Sequence, residues 1–110
     1  MTAAGAPRSA AAERACALSE VPEEGAIRVV LGGRPVCVAR SQGEVFALSD
    51  VCSHADVALS EGDVEDGQIE CWLHGSLFDL RTGVPSGLPA TRPVPTYPVT
   101  VEGDDVLVDL

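Results

Sequence analysis

Lysine is absent from the 110-residue sequence, and its positive charge rests on seven arginines: Arg8, Arg14, Arg28, Arg34, Arg40, Arg81 and Arg92. Between residues 41 and 80 there is no basic residue of any kind. Glu44, Asp50, Asp56, Glu61, Asp63, Glu65, Asp66, Glu70 and Asp79 fall in that window and give it a charge of −9, of the −10 carried by the whole chain. Elsewhere acids and arginines nearly cancel. So acidic a segment repels nucleic acid and anionic membrane surfaces, which are bound through basic patches, so neither is expected as a partner. It reads either as a solvated face or as a surface that attracts a basic protein.

Long apolar runs are also missing. None approaches the ~20 residues that a membrane-spanning helix needs, despite a mean hydropathy of +0.17. Residues 1–15 are alanine-rich but lack the compact apolar stretch and cleavage site of a signal peptide, and read as a flexible N-terminal arm ahead of a domain over 16–110. A chain of this length holds one modest core, so a second, catalytic domain does not fit. The expectation is a cytoplasmic monomer. Without an export signal, Cys16, Cys37, Cys52 and Cys71 do not read as a disulfide framework. Cys37, in the strand-like run Pro35–Ala39, reads as a small core hydrophobe, and Cys16 is given no role.

Helical periodicity is absent, and what stands in its place is an all-β pattern. β-Branched runs at Ile27–Leu31, Pro35–Arg40 and Val45–Leu48 are separated by Gly32-Gly33 and Gln42-Gly43, predicting a three-stranded meander. Further short runs cover Gln68–Leu73 and Leu77–Leu80. Residues 83–98 carry Pro85, Pro89, Pro93, Pro95 and Pro98, and are expected to form an ordered extended loop because proline cannot donate to a ladder. Tyr97–Glu102 and Val106–Leu110 then alternate around Gly103-Asp104-Asp105 as a hairpin. The acidic segment 48–83 looks inserted between two parts of one framework.

That segment holds the unusual chemistry. The chain has two histidines, and each closely follows a cysteine: Cys52-Ser53-His54, then sixteen residues, then Cys71-Trp72-Leu73-His74. Ligands one or two residues apart on a tight turn can face one centre, and sulfur with nitrogen donors suits zinc, copper or iron but not magnesium or calcium. Ordinary Cys2His2 zinc modules group cysteine with cysteine and histidine with histidine. Here each turn supplies one of each, which lets a dinuclear centre take both sulfurs on one metal and both nitrogens on the other. The bland alternatives are a core that happens to hold these side chains, or a structural zinc site.

The two motifs resemble the signature of the Rieske iron-sulfur proteins. Gly75-Ser76-Leu77-Phe78-Asp79 and Thr82-Gly83 are similar to that family's HGSxFD and TG elements, and Gly87-Leu88-Pro89-Ala90 to its proline loop over the cluster. The resemblance implies the Rieske fold, an antiparallel β-sandwich base with a small inserted cluster-binding subdomain at about 48–83. It also implies one [2Fe-2S] cluster with Cys52 and Cys71 on one iron and His54 and His74 on the other. Gly75, Ser76, Phe78, Trp72 and Pro89 would surround it. Gly75 is either a turn glycine or a residue that lets backbone N–H groups approach the sulfides. Trp72 and Phe78 are expected to be apolar shielding.

Respiratory-complex members carry two further cysteines joined as a disulfide; Val57 and Leu73 occupy those positions here, and Phe78 stands where those members have a tyrosine. The chain thus looks like the soluble ferredoxins of multicomponent ring-hydroxylating oxygenases. That implies a one-electron carrier, not an enzyme, between an NAD(P)H-dependent flavoprotein reductase and a terminal non-haem iron oxygenase. A mononuclear iron site would need further histidines, and none is spare. The rival readings are a Rieske-type small subunit or accessory factor of a reductase or of iron-sulfur assembly, and a zinc-held interaction domain.

Overall fold

The computed structural model describes residues 12–53, 57–73, 75–86 and 90–110. Its strands are β1 (Ala12–Ala17), β2 (Gly25–Leu31), β3 (Arg34–Ser41), β4 (Glu44–Ser49), β5 (Val64–Glu65), β6 (Gln68–Glu70), β7 (Leu77–Asp79), β8 (Thr96–Tyr97), β9 (Val99–Glu102) and β10 (Asp105–Asp109). Among the described residues they form three antiparallel sheets, ordered β1-β10-β9, β2-β3-β4-β8 and β5-β6-β7. The all-β class and the antiparallel base are as expected.

Side-chain alternation along β3 explains the layering. Val36 and Val38 point into a core shared with Val106 and Val108 of β10, while Cys37 and Ala39 point into a second core with Leu59, Ile69 and Phe78. The β2-β3-β4-β8 sheet is therefore covered on both faces. A strand buried on both sides needs no polar alternation, which is why Pro35–Ala39 reads as an unbroken apolar run. One core closes the sandwich with β1, β9 and β10; the other carries the β5-β6-β7 unit.

The meander strands match their sequence signals to within two residues. Four readings change. The expected arm gives way at Ala12 to β1, which pairs with β10 from Ala12↔Asp109 to Ala17↔Asp105 with a register shift between Arg14 and Cys16. Alanines and arginines have weak strand preference, so this strand is made by tertiary pairing. The run Gln68–Leu73 ends at Glu70, because Cys71 enters a turn. The run Tyr97–Glu102 is broken at Pro98. Thr96–Tyr97 pairs with β4 in one sheet and Val99–Glu102 with β10 in the other, so the residue without an N–H is where the chain changes sheets. Finally, the proline-rich stretch is not wholly loop, since it contains β8 and an isolated bridge between Pro85 and Phe78.

Candidate metal centre

Two loops carry the cysteine-histidine motifs, one leaving β4 and one joining β6 to β7. The Cys52 amide donates to the Val57 carbonyl at 3.0 Å, and the Cys71 amide donates to the Ser76 carbonyl at 2.7 Å. Each loop is thus closed in the same way, from a cysteine to the fifth residue after it. The Gly75 amide, donating to the Cys71 carbonyl at 2.8 Å, tightens the second loop further. Cys52 and Cys71 are both buried, in the same core with Cys37, Leu59, Ile69 and Phe78. Two thiols distant in sequence are therefore brought into the one core that carries the β5-β6-β7 unit. His54, His74 and Pro89 lie outside the described residues; by sequence each histidine falls within one of the two closed spans.

The surrounding residues fit a sulfide-containing group. Ser76 is buried, and its Oγ accepts a 3.1 Å hydrogen bond from the Ala90 amide. A buried hydroxyl normally donates as well as accepts, and this bond uses a lone pair and leaves the proton free to be donated. Gly75 has φ +80°, and among the described residues a Cβ there would meet the Glu70 carboxylate at an ordinary 3.5 Å. The left-handed backbone is itself a local reason for glycine here. Phe78 is fully buried opposite Ile69, whereas Trp72 is 50% exposed. Apolar cover in the core comes from Phe78; Trp72, like Val51 and Leu73 beside the two motif cysteines, is exposed to solvent.

The elements after the second loop have a mechanical role. The Asp79 carboxylate accepts the amides of Arg81 at 2.8 Å and Thr82 at 3.0 Å, turning the chain. Gly83 then donates to the Asp79 carbonyl at 2.7 Å and accepts from the Val94 amide at 3.0 Å, fastening the proline-rich loop to the turn. Ser53, between the first pair of motif residues, donates to the Arg92 carbonyl at 2.6 Å and ties that loop to the first motif. Ser53, Asp50 and Ser60 were not singled out by sequence reasoning. Their partners are distant in sequence, and nothing local signals those contacts.

Cys16 and Cys37 are buried, and burial pushes both thiols up, so they stay protonated and pack as small hydrophobes. Cys16 belongs to the core of the sandwich. The acidity also finds a place. Val64, Ile69 and Phe78 of the three-stranded unit point inward, and the alternate positions Glu65, Gln68, Glu70, Leu77 and Asp79 point away. Asp63, Glu65, Asp66, Gln68, Glu70 and Leu77 line one depression on that outer face. No helix of the described residues is long and apolar enough to cross a membrane.

Residues 12–98 match the family model for the Rieske [2Fe-2S] domain. The ferredoxin component of biphenyl 2,3-dioxygenase from Rhodococcus jostii (strain RHA1) is 47% identical over 95 residues, covering 86% of this chain and 89% of the relative. Among solved structures, the ferredoxin of carbazole 1,9a-dioxygenase from Nocardioides aromaticivorans IC177 superposes with a TM-score of 0.83 at 36% identity, covering 90% of this chain and 97% of that one. A ferredoxin chain from the complex of reduced oxygenase and oxidized ferredoxin in carbazole 1,9a-dioxygenase gives 0.83 at 32% identity, with coverages of 92% and 94%.

Proposed function

Because the chain belongs to the Rieske [2Fe-2S] domain family, we propose that it carries single electrons into a terminal non-haem iron oxygenase from an NAD(P)H-dependent flavoprotein reductase. The family's cofactor is one Rieske-type [2Fe-2S] cluster, which when bound supplies one-electron exchange. Cys52 and Cys71 hold one iron through thiolates and His54 and His74 hold the other, with residues 48–83 as the cluster-binding unit. The observation that carries this reading is the pair of identically closed loops, each opened by a buried cysteine of one core. Soft sulfur and nitrogen donors suit iron, and mixed pairs suit a centre with two metals.

The chain's own residues position and shield. Ser76 has a hydroxyl proton to donate to the centre, Phe78 fills the core, and the exposed Val51, Trp72 and Leu73, neighbours in sequence of Cys52 and Cys71, offer apolar surface on which a partner can settle briefly. A carbazole 1,9a-dioxygenase ferredoxin is known in complex with its oxygenase, which supports the downstream partner. The upstream reductase, and residence as a monomer in the cytoplasm, complete the proposal. The test is metal and sulfide analysis of cluster-loaded protein with paramagnetic resonance of the reduced form. Two irons and two labile sulfides with one reversible one-electron wave are expected. One zinc and no iron in a cofactor-replete sample overturns it in favour of an interaction domain.

A further inference from the structure

Asp50 is wholly buried, and its carboxylate accepts three hydrogen bonds beside the first loop. Its Oδ1 accepts the Ser60 amide at 2.6 Å, and its Oδ2 accepts both the Ser60 hydroxyl at 2.7 Å and Nη1 of Arg28 at 3.2 Å. On the main chain its amide donates to the Pro35 carbonyl at 3.1 Å, and its carbonyl accepts the Leu59 amide at 3.3 Å. A single residue thus joins β2, the start of β3 and both sides of the loop neck. The next rung inward is the Cys52 to Val57 bond. The loop that bears Cys52 and His54 is therefore closed twice, and the outer closure is fastened to the base by a side chain.

We propose that Asp50 is a positioning residue of the redox centre: it clasps the neck of the first ligand loop to β2 through Ser60 and Arg28, and its buried charge biases the centre toward the oxidised state. This rests on the Rieske reading and goes beyond ligand assignment. A buried carboxylate is tolerated only when hydrogen-bonded and paired, and its cationic partner among the described residues, Arg28, is half exposed, so water screens the arginine more than the acid. The field reaches inward, since the Asp50 charge adds to burial in holding up the Cys37 thiol, which lies in the same core as Cys52 and Cys71. Reduction adds one negative charge to a group held by that core. Asp50 opposes it and Arg28 favours it.

The experiment uses the full chain, cluster-loaded, with iron and sulfide quantified first in the parent. Failure of the cluster reading shows as their absence, and failure of the clasp as unaltered behaviour at full cluster content. Redox titration should move the midpoint upward in Asp50→Asn, which keeps an acceptor for the Ser60 amide, and downward in Arg28→Gln. Ser60→Ala, which leaves both charges, should lose iron to a chelator severalfold faster than the parent. Potentials that stay put or move in the same direction overturn the electrostatic role. Iron loss from Ser60→Ala at the parental rate overturns the clasp. Should Asp50→Asn fail to fold, the other two variants decide.

Discussion

The Ala90 amide donates to the Ser76 hydroxyl, joining the loop after Cys71 to the proline-rich stretch. With a lone pair taken by that bond the hydroxyl proton is left to donate, so Ser76 should stabilise the reduced cluster by donating to a sulfide. One charge-assisted hydrogen bond is worth about 1.5–3 kcal/mol, which for one electron is on the order of 60–130 mV at most. Ser76→Ala should lower the midpoint by tens of millivolts. Phe78 has no such donor, so the parent should lie toward the low end of the roughly −150 to +300 mV spanned by Rieske centres. Phe78→Tyr should raise the midpoint, at a stability loss of about 1–3 kcal/mol because the ring is already fully enclosed. Two variants titrating like the parent would dismiss this account of the potential.

Metal binding should be inseparable from folding. Cys71 is buried at the start of a loop closed by its own amide, so a metal held there is bound by the folded chain and its binding energy adds to folding. Cys71→Ala and His54→Ala should lose the visible absorption of the cluster and lower the thermal midpoint together. Full cluster content in either variant would remove that residue from the ligand set.

The meander and the ligand motifs were legible because each has a local cause. Branched residues between glycine turns define β2 to β4, and cysteine with histidine at short spacing defines the loops. β1 was illegible because Ala12, Ala15 and Ala17 carry almost no strand signal, and only pairing with β10 makes them a strand. The sequence does not tell how far each aromatic is enclosed: Phe78 is fully buried and Trp72 half exposed, and tertiary packing sets the difference. Asp50 sat among nine acids that look alike in sequence. Its burial is set by Ser60 and Arg28, ten and twenty-two residues away.

Partner docking should respond to salt. Asp63, Glu65 and Glu70 share an outward depression with the partly exposed Leu77, on the sheet that ends in the second ligand loop. With a Debye length of ~10 Å at 0.1 M, steering of a basic partner should fade as salt rises. Charge reversal at Glu61, Asp63, Glu65 and Asp66 should slow electron transfer in dilute salt and matter little in concentrated salt. An identical salt profile for parent and variant, read by stopped-flow reoxidation, would assign the acids to solvation alone.

Acid should loosen the joint at the opposite end of the subdomain. The Glu24 carboxylate accepts the Gln42 amide at 2.7 Å, the Ser41 hydroxyl at 3.1 Å and the Asp66 amide at 3.3 Å, linking the β3-β4 turn to the β5-β6 turn. The Gln42 amide, then the Ser41 hydroxyl, hold its pKa below the ordinary 4.5. A depressed folded value contributes stability that is present above the unfolded value and is lost as pH falls through the folded one. Glu24→Gln should therefore denature at lower urea than the parent at neutral pH, and the gap should close as pH falls below 4.5 and through the lower, folded-state value. A gap that persists in acid would show that the carboxylate charge is not what the two turns use.

Gly83 offers the sharpest mechanical test of the lock over the centre. Its φ is +77°, and a Cβ there would lie 2.2 Å from the Val94 carbonyl oxygen, a backbone atom that cannot swing aside. Gly33 has φ +82° with nothing within 4 Å of a built Cβ, so Gly33→Ala isolates the conformational penalty. That penalty is about 1 kcal/mol, at the low end for left-handed backbone. Gly83→Ala adds a clash and threatens the bond from the Val94 amide to its own carbonyl, so its loss should exceed that of Gly33→Ala by about 2 kcal/mol or more. Because the displaced segment leads back to Arg92 and Ala90, which hold Ser53 and Ser76, Gly83→Ala should also shift the midpoint potential while Gly33→Ala leaves it unchanged. Equal destabilisation by the two variants, or an unmoved potential in Gly83→Ala, would show that the turn and the loop over the centre are not mechanically joined.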